Sequence, residues 1–311
     1  MYDGSTATAE AALMAIASVR KTDTVLVSST IDPKVLKVVK TYAHFHGINI
    51  ETIDAVEGCT DKNAMETRLA KGGVAGVIVQ QPNYYGIVED YDGFADACHS
   101  NKALFIMNSV AADLALLKTP GELGADIAVG DGQSLGIPMS FGGPSVGYMC
   151  VTEKLMRKMP GRIVGKTVDN RGQRVFVLTL QAREQHIRRQ KATSNICSNE
   201  SLMALFVTIY MAVMGKEGVK EAAQMSYDGA HYLCDKLLAT GRFTLAFDRP
   251  FFNEVCLRYS GNVDALQQRF IDNGILGGVK VGDDCIMFAV TEKRTKEEID
   301  LLVNLTKEDT L

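Results

Sequence analysis

Nowhere in the 311 residues is there a dense block of lysine and arginine, and the formal charge is −4. Composition therefore gives no electrostatic reason to expect nucleic acid or an acidic membrane as a partner. No apolar run reaches the roughly 18 to 20 residues needed to span a bilayer, and the amino terminus lacks the basic-then-apolar pattern of a secretory signal. The seven cysteines are odd in number, widely scattered and without a Cys-x-x-Cys pair. That argues against a disulfide framework or a thiolate zinc site, and a reducing cytoplasm is the expected compartment. Walker A, Gly-x-Ser-x-Gly and His-Glu-x-x-His sequences are also missing, which removes the simplest signatures of a P-loop nucleotide enzyme, a serine hydrolase and a zinc protease. His44-x-His46 and Cys98-His99 stand isolated, so no metal is expected.

What the chain does have is the balance of a globular protein: 46% hydrophobic and 23% charged residues, in a length that buries a sizeable core. An alanine-rich helix is expected over residues 7–20, with Ser5 or Thr6 as N-cap. Asp32-Pro33 supplies an N-cap and a proline at N1 for a second helix, which Gly47 closes. Strand-like runs at 24–27, 49–56, 74–80, 103–107 and 125–129 alternate with helical stretches at 61–71 and 91–99 and a turn at 111–117. Short runs buried on both faces, alternating with helices, predict a doubly wound, mainly parallel α/β sheet. Residues 161–174 read as a surface loop or hairpin, and a long apolar helix is expected over 200–214. Past Gly215 the pattern becomes helix, two strands, helix, strand, helix. The expected organisation is a large domain, residues 1–214, and a smaller C-terminal α+β domain, residues 215–311.

Asp131-Gly-Gln-Ser-Leu-Gly-Ile-Pro-Met-Ser-Phe-Gly-Gly-Pro-Ser-Val-Gly147 lies between two strand-like runs and is rich in glycine and proline. Its backbone can turn tightly and approach a ligand closely. Gly130-Asp-Gly132 invites a dinucleotide reading, but the next glycine, Gly136, comes one residue late, and Pro138 and Gly142-Gly143 interrupt any following helix. Ligands of such sheets bind outside the carboxyl ends of the strands, where Asn108 and Gln133 both fall.

The loop is similar to that of fold-type I pyridoxal-phosphate (PLP) enzymes, and the chain resembles the lysine-lacking α chains of the two-subunit bacterial glycine decarboxylase (P protein) family. The match rests on Met1-Tyr-Asp-Gly-Ser-Thr6, on Gly72-Gly-Val-Ala-Gly-Val-Ile-Val-Gln-Gln-Pro-Asn83 with Tyr84-Tyr85-Gly86, and on Arg183-Glu-Gln-His-Ile-Arg-Arg-Gln-Lys-Ala-Thr-Ser-Asn-Ile-Cys197. Gly277-Gly278 and residues 289–295 add to it. In that family the Schiff-base lysine lies five residues before the proline of an Ile-Pro pair, and here Gln133 holds the position. An amide nitrogen does not form an imine with an aldehyde. The aspartate that keeps the cofactor's pyridine nitrogen protonated is matched by Asn108, which is neutral.

The resemblance implies a pseudo-site in this chain, with PLP held by a lysine-bearing partner, subunit 2 (β chain). That partner decarboxylates glycine and passes the aminomethyl group to the lipoyl arm of H protein. It also implies a dimer or heterotetramer whose active site lies between subunits, with Thr193, Ser194 and Asn195 directed to the partner's PLP phosphate and Arg188, Arg189 and Lys191 adding positive potential. Family members usually begin well upstream of this chain, so a truncated piece is expected. Two rival readings are a self-sufficient PLP enzyme using a relocated lysine, such as Lys166 or Lys191, and a scaffold or binding protein.

Overall fold

The first helix already shows how local chemistry positions the site. In the computed structural model, which describes residues 1–179, 185–192, 194, 196 and 199–307, α1 (Gly4–Ser18) begins before the alanine run because Asp3 is its N-cap. The Asp3 carboxylate accepts from Thr6 N–H at 2.7 Å, and Asp3 N–H donates back to the Thr6 hydroxyl at 3.1 Å. This reciprocal box replaces the expected Ser5 or Thr6 cap.

The rest follows in alternation: β1 (Thr24–Ser28), α2 (Pro33–His46), β2 (Asn49–Ile53), β3 (Ala55–Val56), β4 (Cys59–Thr60), α3 (Lys62–Leu69), β5 (Val74–Gln81), α4 (Phe94–Ser100), β6 (Leu104–Ser109), β7 (Ile127–Asp131) and β8 (Gly147–Val151). Asp32 caps α2 through Lys34 N–H at 2.7 Å, and Gly47 closes it with a left-handed φ of 65°. The run expected as one strand over 49–56 divides after Ile53, where the chain leaves the main sheet to form the β3–β4 hairpin.

Six strands order as β2-β1-β5-β6-β7-β8, all neighbours parallel except the antiparallel β7–β8 pair. Alternate residues of each central strand feed opposite faces. Val25, Val27, Ile78 and Ile106 pack with α1 and α2, whereas Leu26, Val77, Val79, Phe105 and Met107 pack with α3 and α4. Burying each of these side chains contributes about 1.5–3 kcal/mol, so neither face of the sheet tolerates a polar substitution. The fold is the mixed α/β arrangement with a mainly parallel sheet that the alternation predicted.

Beyond β8 come a hairpin of β9 (Ile163–Val168) and β10 (Arg174–Thr179), a single turn α5 (Gln185–Arg188), and the long α6 (Ser201–Leu238). Its two helical runs, one before and one after Gly215, meet at a break where Gly215 has φ 62° and ψ −177°. Among the described residues α6 is one helix long and apolar enough, by length and composition, to cross a membrane. The sequence has no uninterrupted apolar run of that length, and the helix itself breaks at Gly215. The chain ends in a second sheet, ordered β11-β12-β14-β13 from β11 (Phe243–Leu245), β12 (Glu254–Tyr259), β13 (Val279–Lys280) and β14 (Cys285–Ala289), with α7 (Val263–Asp272) and α8 (Lys296–Leu305). Leu233, Leu257, Phe270, Phe288 and Val303 fill its own core.

Candidate functional site

The carboxyl ends of β1, β5, β6 and β7 share one edge. Register sets Asn108 on β6 between Gln80 of β5 and Val129 of β7, with its side chain largely buried. Gln133 lies just past the end of β7, in the turn that opens the glycine-rich loop. Asn108 and Gln133 thus fall on adjacent strand ends, as the spacing required.

Asp131, the last residue of β7, organises this edge. One carboxylate oxygen accepts from Gly4 N–H at 3.0 Å and the other from Gln133 N–H at 2.8 Å. The Ser145 hydroxyl lies 2.6 Å from both. A single side chain therefore ties together the head of α1, the turn bearing Gln133 and the far end of the glycine-rich loop. Glycine is needed where these pieces meet: a Cβ on Gly4 would lie 2.9 Å from Asp131 N, and one on Gly130 would collide with the Ser109 carbonyl. The loop is closed from above by α6, with Leu135 and Ile137 buried against Val207.

Deeper at the same edge, the Tyr148 hydroxyl donates to the Ser109 carbonyl at 2.8 Å, and burial pushes its pKa up. Asp113 is buried after β6, and burial, reinforced by the Glu254 carboxylate, pushes its pKa up to about 8. Among the described residues, Asp113 Oδ2 and Ser109 Oγ have no hydrogen-bond partner. Burial also raises the pKa of Glu254 on β12, with Asp32 adding to the shift. Around Asp113 and Glu254 the interior thus favours neutral carboxylic acids over anions.

A second polar cluster, centred on Glu89, is not apparent from residue patterns. Its buried carboxylate accepts from the Thr30 hydroxyl at 2.8 Å, the Asn83 amide at 2.7 Å and Thr60 N–H at 2.6 Å. Gln81 and Glu89 exchange two further bonds of 3.0 Å between the Gln81 side chain and the Glu89 backbone. A carboxylate supplied with three internal donors is a structural latch, here locking the segment after β5 to the ends of β1 and β4. The only sequence signal was Gln-Gln-Pro-Asn at the end of a strand.

Of the residues expected to reach a partner's phosphate, Thr193 and Asn195 lie outside the described residues. Ser194 is buried, and its hydroxyl donates to Glu10 Oε1 at 2.7 Å, so its proton is directed into this chain rather than outward. Burial raises the Glu10 pKa, and the Ser194 bond opposes that rise. Glu10, Tyr42, His46, Arg189 and Ser194 line an open groove of about 500 Å³. An adjoining groove adds Arg157, Lys158, Arg188 and Lys191. Lys166 is exposed on β9, where it pairs with Phe176.

Neither isolated histidine pair gathers further ligands. His46 donates through Nδ1 to the Tyr42 carbonyl, and His99 meets the Asp126 carboxylate at 2.8 Å. Among the described residues no group of three or more His, Cys, Asp or Glu could hold a metal ion.

The model of the family described as "Glycine cleavage system P-protein" matches residues 1–306. A protein of Anoxybacillus flavithermus named "Probable glycine dehydrogenase (decarboxylating) subunit 1" is 47% identical over 309 residues, covering 97% of this chain and 68% of that protein. The crystal structure of glycine decarboxylase (P-protein) of the glycine cleavage system, in inhibitor-bound form, superposes with a TM-score of 0.93 at 40% identity, covering 99% of this chain and 70% of that one. Alanine–glyoxylate aminotransferase from Nostoc sp. shares the fold, with a TM-score of 0.68 at 16% identity over 99% of this chain and 80% of that one.

Proposed function

The chain belongs to the glycine cleavage system P-protein family, and from that premise we propose that it is subunit 1 of a glycine dehydrogenase (decarboxylating), completing the active site of a PLP-bearing partner rather than forming its own. The observation that carries the reading is Gln133, an amide at the strand-end position that the resemblance to lysine-bearing P proteins assigns to a nucleophilic amine. The residues at this chain's own strand ends do not fit the cofactor. Gln133 offers no amine, and Asn108 offers no charge for a pyridinium.

On this reading the partner is subunit 2, and lipoyl H protein takes the product of the joint site. The assembly is a dimer or heterotetramer in the cytoplasm. Residues 1–214 form the large domain and 215–311 the small one. Thr193 and Asn195 are the residues assigned to the partner's phosphate, with Arg188, Arg189 and Lys191 supplying positive potential. The Ser194 hydroxyl, which donates to Glu10, is left out of that set. Exposed apolar side chains on α6 support an assembled state, because a soluble chain rarely leaves such a stripe uncovered.

Reconstitution tests the assignment. Purified chain and purified subunit 2 are each assayed for exchange of the glycine carboxyl with bicarbonate in the presence of PLP and H protein, then assayed together. The expected result is exchange only in the mixture. Exchange by this chain alone would point to a self-sufficient enzyme, and failure of the two chains to associate would point to a separate scaffold role.

A further inference from the structure

We propose that the Asp131 carboxylate is a built-in anion at the head of α1, which fills this chain's own ligand cleft and closes it to phosphate-bearing cofactors. The inference rests on the reading of Gln133 as the counterpart of a Schiff-base lysine, and goes beyond it by identifying what fills the anion position.

The start of a helix is an anion site by default, since its first N–H groups have no intrahelical partner and its dipole favours negative charge. The head of α1 lies at the carboxyl edge of a parallel sheet, where ligands of such sheets bind. Here two of those amides already have carboxylates: Gly4 N–H meets Asp131 at 3.0 Å, and Thr6 N–H meets Asp3 at 2.7 Å.

Asp131 is also held in place. Gln133 N–H and the Ser145 hydroxyl bind the same carboxylate, so it cannot swing aside without breaking the turn and the end of the loop together. Nor is there space to widen the gap. Gly4 backs onto the Asp131 backbone, and Gly147 sits against the Asp3 carbonyl closely enough that any side chain would collide with it. A phosphate group arriving here would have to displace one carboxylate while lying beside a second, Asp3. The cleft therefore lacks the nucleophile and is also occupied at the position that would grip the cofactor's charged end.

The experiment uses the full chain and two probes, inorganic phosphate and PLP, with melting temperature and retained PLP absorbance as readouts. The parent chain is expected to show no change in melting temperature with millimolar phosphate. Asp131→Ser is expected to melt lower by on the order of 5 °C and to regain most of that loss when phosphate is added. Gln133→Lys alone is expected to retain no PLP after gel filtration, whereas Gln133→Lys combined with Asp131→Ser retains it. If Asp131→Ser does not fold, Asp131→Asn, which keeps the shape and removes the charge, is measured in the same way. The proposal is overturned if phosphate stabilises the parent, if Gln133→Lys alone retains PLP, or if neither Asp131 variant responds to phosphate. None of these readouts depends on subunit 2, so loss of the reconstitution result and loss of this one are distinguishable.

Discussion

Asp113 gives the buried segment after β6 a measurable pH signature. Its carboxyl ionises near 3.8 in an unfolded chain and at about 8 in the fold, because burial and the Glu254 carboxylate both oppose the anion. Between those values the unfolded state has released the proton and the native state has kept it. The unfolded chain then binds fewer protons, so this group's contribution to stability falls as pH rises from about 4 to about 8 and is level above. Asp113→Asn has no proton to release. Its melting temperature, followed from about pH 5 to about pH 9, is expected to decline less than the parent's and to exceed it at the alkaline end. An unchanged slope would mean that Asp113 is not the group responsible.

At this same scale Gln133 and Asn108 were legible, because each is a local departure at a strand end that family spacing marks. Glu89 and Glu10 were not. The donors of Glu89 come from 59, 29 and 6 residues away along the chain, and the partner of Glu10 from 184. No local window brings Thr30 or Thr60 to Glu89, or Ser194 to Glu10. Asp3 was missed as a cap for a different reason: glycine at the first helical position hides a helix start from propensity, although Asp is as good a cap as serine.

Among the elements, α6 has the clearest mismatch between sequence and surroundings. Leu202, Leu205, Ile209 and Val213 recur three or four residues apart on one face, and all are exposed. Phe176, Val177 and Leu178 on β10 are exposed as well. Such stripes mark surfaces that are covered in an assembly. Replacing Ile209 by lysine removes no interior contact, so the melting temperature of the isolated chain is expected to stay within the range of surface substitutions, about 0.5 kcal/mol. Association with subunit 2, measured by analytical ultracentrifugation of the mixture, is expected to weaken by about tenfold or more. Equal affinity for parent and variant would remove α6 from the interface. The alternation of strands and helices was readable because period and caps are local. The break at Gly215 was readable too, since glycine readily takes the positive φ found there.

For the whole molecule, parallel strands buried on both faces determined the fold from pattern alone, and the carboxyl edge of that sheet then located the site. Pattern could not show that the edge is filled by the chain's own carboxylates, because that depends on the meeting of Gly4, Asp131 and Ser145 from distant parts of the chain. On the proposed reading this chain is the half of a paired enzyme that shapes a site without holding its cofactor. The most direct test is to reduce the assembled complex with borohydride in the presence of PLP and map the pyridoxyl group by peptide mass spectrometry. Label is expected on a lysine of subunit 2 and none on this chain. A pyridoxyl group on Lys166, Lys191 or any other lysine of this chain would contradict it.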